Sequence, residues 1–235
     1  MAIPQQEPAR HPPSSEYTLG GKIPVIYYYI DDRCDDNQAV FTKEMIDEQI
    51  RMLPEVLQKE KTVSCLVQAL KKYKMDGMGT LIVGSRIPFY EGVCISLGIS
   101  PTTVDYNKVM SYDDRVRSIS MVDLESDKKH DSAISISSYE HSGLGRYGDP
   151  LDPFGDTKAM TALKRYVKKD ALLFLSIPVG QDALVWNAHR VYGDIRLPLL
   201  LKEWTLVESF GFSPERHPSM PLGEYYQPVF VLRNS

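Results

Sequence analysis

The chain has 235 residues, 43% hydrophobic and 25% charged, with a formal net charge of -4 and a sequence pI near 5.8. That balance suits a globular protein with one sizeable core and argues against a nucleic-acid groove or an anionic membrane surface as its partner. No apolar run reaches the ~18 residues of a membrane span, Cys34, Cys65 and Cys94 are too scattered for a disulfide frame or a Cys-x-x-Cys metal site, and the polar N-terminus lacks a signal-peptide core, which makes the cytosol the default expectation.

Residues 1–21 are rich in Pro and polar residues and end in Gly20-Gly21, the pattern of a flexible tail. A strand and helical extension over 22–78 follows, and an α/β domain over 79–235. In the extension, Lys22 to Ile30 is β-prone, and Asp31, Asp32, Asp35 and Asp36 suit a helix cap. One helix is expected from about Phe41 to Leu57, with Pro54 as a kink or break, and another from about Thr62 to Tyr73.

From Gly79 strands alternate with helices. Strands are expected at Thr80–Val83, Pro101–Asp105, Val116–Val122, Ser132–Ser137, Ala171–Ile177, Thr205–Ser209 and Pro228–Leu232. Helices are expected at Phe89–Leu97, Asp156–Lys168 and Asp194–Leu201. This alternation predicts a doubly wound, Rossmann-like α/β sheet of about seven strands, mainly parallel, with helices on both faces. Trp186, Trp204 and the run Tyr27-Tyr28-Tyr29 read as packing residues.

In such a sheet, ligands bind past the carboxyl ends of the strands. Gly84 and Ser85 end the first strand of the series; a glycine there either admits a ligand close to the backbone or only serves a turn. Asp105 ends the second strand, about 20 residues further on, where a carboxylate commonly accepts hydrogen bonds from a ribose diol. Asp123 and Leu124 end the third, where an acid can meet an adenine amino group or simply be solvated beside Glu125 and Asp127.

The fourth strand opens into residues 138–154, which concentrate Glu140, His141, Arg146, Tyr147, Asp149 and Asp152 among three glycines and two prolines. A long polar loop between ordered elements is a candidate functional segment. Histidine suits proton transfer near neutral pH, which makes His141 the first candidate base, ahead of His189 and Asp156. Arg146, Tyr147, Arg190 and Tyr192 are candidate acceptor contacts, the latter two in a cluster expected to precede a helix. Asp149, Asp152 and Asp156 either fix turns and a helix start or hold a divalent cation through oxygens.

Residues 79–232 resemble the class I S-adenosylmethionine-dependent methyltransferases. Thr80–Val83 with Gly84 stands in the place of their glycine motif, Asp105 in that of the ribose-binding acid, and Asp123 beside adenine. His189-Arg190 and Gly211-Phe212 are similar to signatures of small-molecule methyltransferases. Longer stretches are similar to the family known as domain of unknown function 268: Ile82–Ser85, Pro88–Glu91, Thr103–Asn107, Ser135–Asp149 and Val185–Gly193.

The resemblance implies a seven-stranded sheet whose last strand is antiparallel and S-adenosyl-L-methionine as cofactor. It implies contacts to that cofactor from Gly84, Ser85, Glu91, Asp105, Asp123, Leu124, Ser138 and Glu140; Glu91 is expected to compensate for the reduced glycine motif by reaching the amino group. A methyl acceptor that is a small molecule or a glycan hydroxyl follows. Arg86, Ile87 and Pro88 stand where further glycines are usual. That departure keeps open a non-catalytic binding or regulatory module on the same fold, and the aspartates keep open a metal-assisted glycan or nucleotide-sugar enzyme.

Overall fold

The computed structural model describes residues 9–33, 39–125 and 128–235. Its strands are β1 (Val25–Tyr28), β2 (Ala39–Phe41), β3 (Gly79–Val83), β4 (Ser100–Asp105), β5 (Val109–Ser111), β6 (Arg117–Ser120), β7 (His130–Ile136), β8 (Val167–Ser176), β9 (Val179–Gly180), β10 (Ala183–Asn187), β11 (His189–Val191), β12 (Thr205–Phe210), β13 (Tyr225–Tyr226) and β14 (Val229–Arg233). Its α-helices are α1 (Lys43–Lys59), α2 (Lys61–Lys72), α3 (Phe89–Ser96), α4 (Gly155–Leu163) and α5 (Arg196–Leu201).

Seven strands form the central sheet in the order β6-β4-β3-β7-β8-β14-β12. The first five are mutually parallel, and β14 runs antiparallel to both β8 and β12. This is the expected doubly wound, Rossmann-like sheet. From β3 the chain winds outward to β4 and β6, then returns to place β7 on the other side of β3. The winding reverses between β3 and β7, which opens a crevice past their carboxyl ends.

Alternating strand residues divide two cores. One face carries Leu81, Ala133, Leu173 and Leu175 against Met160 and Leu163 of α4 and Leu197 and Leu200 of α5. The other carries Ile82, Ile134, Phe174 and Val231 against Leu66 and Leu70 of α2 and Val93 of α3. Each fully buried aliphatic side chain contributes about 2 kcal/mol, which is why Val63, Leu66, Val67 and Leu70, spaced three and four apart, fix α2 on the sheet.

Several expectations are corrected. Pro54 does not break α1: Leu53, Val56 and Leu57 keep packing on one cluster, and the helix continues to Lys59. Its cap is Thr42, whose hydroxyl accepts the Met45 N–H at 3.3 Å, rather than an aspartate; Asp35 and Asp36 lie outside the described residues, as do Cys34 and Asp127. Helix α4 stops at Leu163, because Val167 is already buried as a strand residue of β8. The third strand ends at Ser120, and Met121–Asp123 form a 3-10 turn.

Part of the expected tail is built in. Ser15–Thr18 form a 3-10 turn, Tyr17 is buried, and Trp186 Nε1 donates to the Ala9 carbonyl at 2.8 Å. The extension also shares its structure with the rest: β1 pairs in parallel with β10, and α2 packs on β14, β12 and β8. Trp186 and Trp204 are packing residues, but Tyr27, Tyr28 and Tyr29 are exposed. Residues 183–191 form the hairpin β10–β11 rather than a loop before a helix. Every residue of β10 is buried, so no alternation marked it as a strand. Among the described residues no helix is long and apolar enough to cross a membrane.

Candidate functional site

A cavity of about 820 Å³ lies past the carboxyl ends of β3, β4 and β7. One wall is made by the strand ends. Gly84 closes β3 with φ +76°, and a Cβ there would sit 2.1 Å from Ser138 Oγ. Only glycine satisfies both demands. Opposite, Ser137 ends β7 with φ +52°, a left-handed conformation that a non-glycine residue rarely holds.

Asp105 ends β4 in the same cavity. Its Oδ1 accepts the Asn107 N–H at 2.8 Å, and burial raises its carboxyl to about 6 against the lowering effect of that bond and of Arg86. Leu124 and Met121 continue the wall, and Ala159, Ala162, Leu163 and Tyr166 of α4 and its following turn face them. Tyr90, Phe89 and Gln49 close the end nearest α1 and α3.

The other wall is the loop after β7. His141 and Tyr147 line the cavity, with their rings edge-to-face at 5.5 Å. The guanidinium of Arg146 lies 4.9 Å from the Tyr147 ring centre and that of Arg86 lies 5.6 Å from it. His141 Nδ1 is 2.6 Å from the Ala188 carbonyl. A carbonyl only accepts, so Nδ1 carries the proton and Nε2 keeps its lone pair. Burial, together with Arg146, His189 and Arg190, lowers the imidazole to about 4, and it is neutral at physiological pH.

Of the sequence-predicted residues, the structure brings Gly84, Ser85, Asp105, Leu124, Ser138, His141 and Tyr147 to the cavity. Glu91 is fully buried beneath the Gly84 turn: its Oε1 accepts the Thr103 hydroxyl at 2.6 Å and its Oε2 lies 3.0 Å from Ser85 Oγ. It braces the turn and does not reach a ligand's amino group. Asp123 and Glu140 are not among the lining residues, and Glu140 is buried behind His141.

Arg190 is a buried scaffold rather than an acceptor contact. Its guanidinium donates to the carbonyls of Ser142 at 2.7 Å, Asp152 at 3.3 Å and Pro153 at 3.4 Å. Asp156 is no base: its Oδ2 takes the Tyr192 hydroxyl at 3.0 Å and an Arg196 N–H at 2.9 Å in a fully buried cluster. Tyr192 belongs to that cluster and to the core. Arg146 is held by Asp32 at 2.7 Å, and His189 stacks edge-on with Tyr225 at 5.3 Å behind His141.

The three loop aspartates do not converge. Asp149 and Asp152 border the cavity, but Asp149 accepts the Gly143 N–H at 2.6 Å and Asp152 pairs with Lys158 at 2.6 Å, while Asp156 binds arginine. Among the described residues no three His, Cys, Asp or Glu side chains group to hold a metal ion. Sequence reasoning missed Tyr90, Gln49, Ser137 and the α4 face. Tyr90 lay in a helix from which only its neighbour Glu91 was read as a contact, and the small Ala159 and Ala162, about one turn apart, were the signal that α4 leaves room for a ligand.

Strand order, reversed β14 and cavity position together define the class I methyltransferase fold. It is similar to that of Burkholderia thailandensis 1,6-didemethyltoxoflavin-N1-methyltransferase, solved with 1,6-didemethyltoxoflavin and S-adenosylhomocysteine: TM-score 0.53 and 16% identity over 88% of this chain and 98% of that one. The N-methyltransferase NodS from Bradyrhizobium japonicum WM9, solved with S-adenosylhomocysteine, gives a TM-score of 0.48 and 13% identity over 82% of this chain and 99% of that one. No curated protein sequence matches the chain. The chain belongs to the family described as Caenorhabditis protein of unknown function, DUF268, whose model matches residues 77–223.

Proposed function

We propose that this chain binds S-adenosyl-L-methionine in the cavity and transfers its methyl group to a small-molecule acceptor, with a hydroxyl, free or on a glycan, as the preferred nucleophile. One observation carries the reading: Gly84 and Asp105, at the ends of adjacent parallel strands, face one 820 Å³ cavity beside the switch point of the sheet. The residues fit the cofactor. Gly84 lines the cavity at a turn where the absence of a side chain lets Ser138 pack against it, and the half-buried Asp105 carboxylate suits a vicinal diol. Leu124, Met121 and the alanines of α4 offer an apolar slot for a purine ring.

When bound, the cofactor supplies an electrophilic methyl group on a positively charged sulfur. The chain's part is to align the acceptor, exclude water and take one proton. His141 is placed to take that proton, because it lines the cavity, its Nδ1 is pinned, and Nε2 can accept from a hydroxyl. Tyr147, held between Arg86 and Arg146, supports the acceptor side.

Calorimetry with S-adenosylhomocysteine tests the reading. Saturable binding, weakened at least ~10-fold (about 1.4 kcal/mol) by Asp105→Ala, is the expected result; no heat at millimolar ligand would sink it. A second reading, a module that holds the cofactor without turnover, is favoured by Arg86, Ile87 and Pro88 in place of further glycines. Binding without methyl transfer to any of a broad panel of hydroxyl and amine acceptors would select it.

A further inference from the structure

Glu140 is a buried carboxyl that neither the sheet nor the cavity lining uses. It sits in the 3-10 turn Tyr139–His141, and its side chain is 2% exposed. Its Oε2 is fully buried and has no hydrogen-bond partner among the described residues. Its Oε1 lies 3.8 Å from His141 Nε2, the ring nitrogen left unprotonated by the Ala188 contact. A buried polar atom without a partner is costly, and a carboxyl left so beside a candidate base calls for an explanation.

The nearby cations do not supply a partner. Arg190 donates to backbone carbonyls, and Arg146 donates to Asp32 and the Ala188 carbonyl. The other titratable groups facing the pair are Tyr90, Tyr147, Tyr192 and His189. None of these forms a hydrogen bond to the Glu140 carboxyl. Among the described residues His189 Nε2 and Arg190 Nε are also without a hydrogen bond, but neither is paired with the Glu140 carboxyl; His141 Nε2 is the basic nitrogen that lies within ion-pair distance of it.

We propose that Glu140 is a positioning residue that sets the basicity of His141: ionised, its charge beside Nε2 favours the imidazolium, and protonated, it does not. The proposal rests on the reading of His141 as the base. Burial raises the Glu140 carboxyl to about 8 and lowers His141 to about 4, so at neutral pH both groups are uncharged. As pH rises through the Glu140 midpoint, a full negative charge forms 3.8 Å from Nε2. At an effective dielectric near 20, such a charge strengthens proton binding on the order of 10³-fold.

In the transfer itself the acceptor's O–H proton passes to Nε2. A bound cofactor would supply the methyl group that this oxygen's electron pair takes, and its sulfur would keep the electron pair of the bond that is lost. The proton then leaves Nε2 for solvent. Glu140 touches neither acceptor nor methyl group and acts through His141.

The test needs no acceptor. Full-length protein with isotope-labelled histidine is titrated by NMR from pH 5 to 10, with the His141 signals assigned through His141→Gln. In the wild type the His141 ring signals should shift with a midpoint near 8, where Glu140 ionises. Glu140→Gln should abolish that step and leave the other four of the chain's five histidines unchanged. If Glu140→Gln fails to fold, Glu140→Asp, one methylene shorter, should shrink and displace the step.

Identical His141 titrations in wild type and variant would overturn the proposal. Calorimetry on the same samples separates the two readings. Loss of S-adenosylhomocysteine binding in the wild type would sink the methyltransferase reading while the Glu140–His141 coupling stayed measurable. Unchanged binding in Glu140→Gln with a lost titration step is the expected pair of results.

Discussion

The two walls of the cavity are built by different means. The strand-end wall relies on the sheet: β3 and β4 place Gly84 and Asp105 by backbone pairing, and only the small set Ser85, Thr103 and Glu91 braces the turn from beneath. The loop wall has no sheet under it. Residues 138–154 are held by a buried charged cluster, Arg190, Arg196 and Asp156, and by contacts from the N-terminal segment: Tyr17 to the Gly143 carbonyl at 3.1 Å, the Asp32 carboxylate to Arg146 at 2.7 Å and the Asp32 N–H to the Arg146 carbonyl at 2.9 Å.

Backbone carbonyls in an irregular buried segment have no strand partners, and an arginine fork satisfies several at once. The sheet thus frees the polar residues at its strand ends to meet a ligand. The loop consumes most of its polar residues as scaffold. Of the base and acceptor candidates predicted there, only His141 and Tyr147 reach the cavity, and the carboxylates of Asp149 and Asp152 at its border are already engaged.

Removing a scaffold charge should break the loop wall first. Arg190→Met leaves Asp156 with one arginine fewer and strands the Ser142 and Asp152 carbonyls, and should cost about 3–5 kcal/mol in urea denaturation. A loss under about 1 kcal/mol would show that the charges do not hold the loop. Gly84→Ala should come next, at about 2 kcal/mol, since the new Cβ meets Ser138 Oγ at 2.1 Å in a left-handed backbone. Its effect on S-adenosylhomocysteine affinity should exceed its effect on stability, and Ser138→Gly in the same chain should restore part of both.

The smallest change is Tyr17→Phe. Losing one buried hydrogen bond to Gly143 should cost about 1 kcal/mol. Hydrogen exchange should then quicken at the amides of 142–155 while β3 and β4 stay protected. Uniform loosening of both walls would mean that the N-terminal segment does not act on the loop separately.

Much of the strand-end wall was legible in the chain. Gly84 after a short apolar strand, and Asp105 after the next, carry their own reasons in residue type and spacing. The loop wall was legible as a place but not as a set of roles. Arg190, Asp156 and Tyr192 look reactive in sequence, yet they lie 36 or fewer residues apart along the chain in one buried cluster that the sequence does not announce. Tyr17 pointed the other way: a residue in an apparent tail is buried 126 residues from its partner.

The amino-acid order by itself determined the alternation of strands and helices, the cores of α2 and α4, and the two strand ends that face the cavity. These follow from local periodicity, turn chemistry and burial, which neighbouring residues decide. Tertiary structure alone decided which polar side chains face the cavity and which are spent beneath it. That choice depends on contacts between β10–β11, α5, the N-terminal segment and the loop, distant in sequence and joined only when unpaired carbonyls and buried charges find one another.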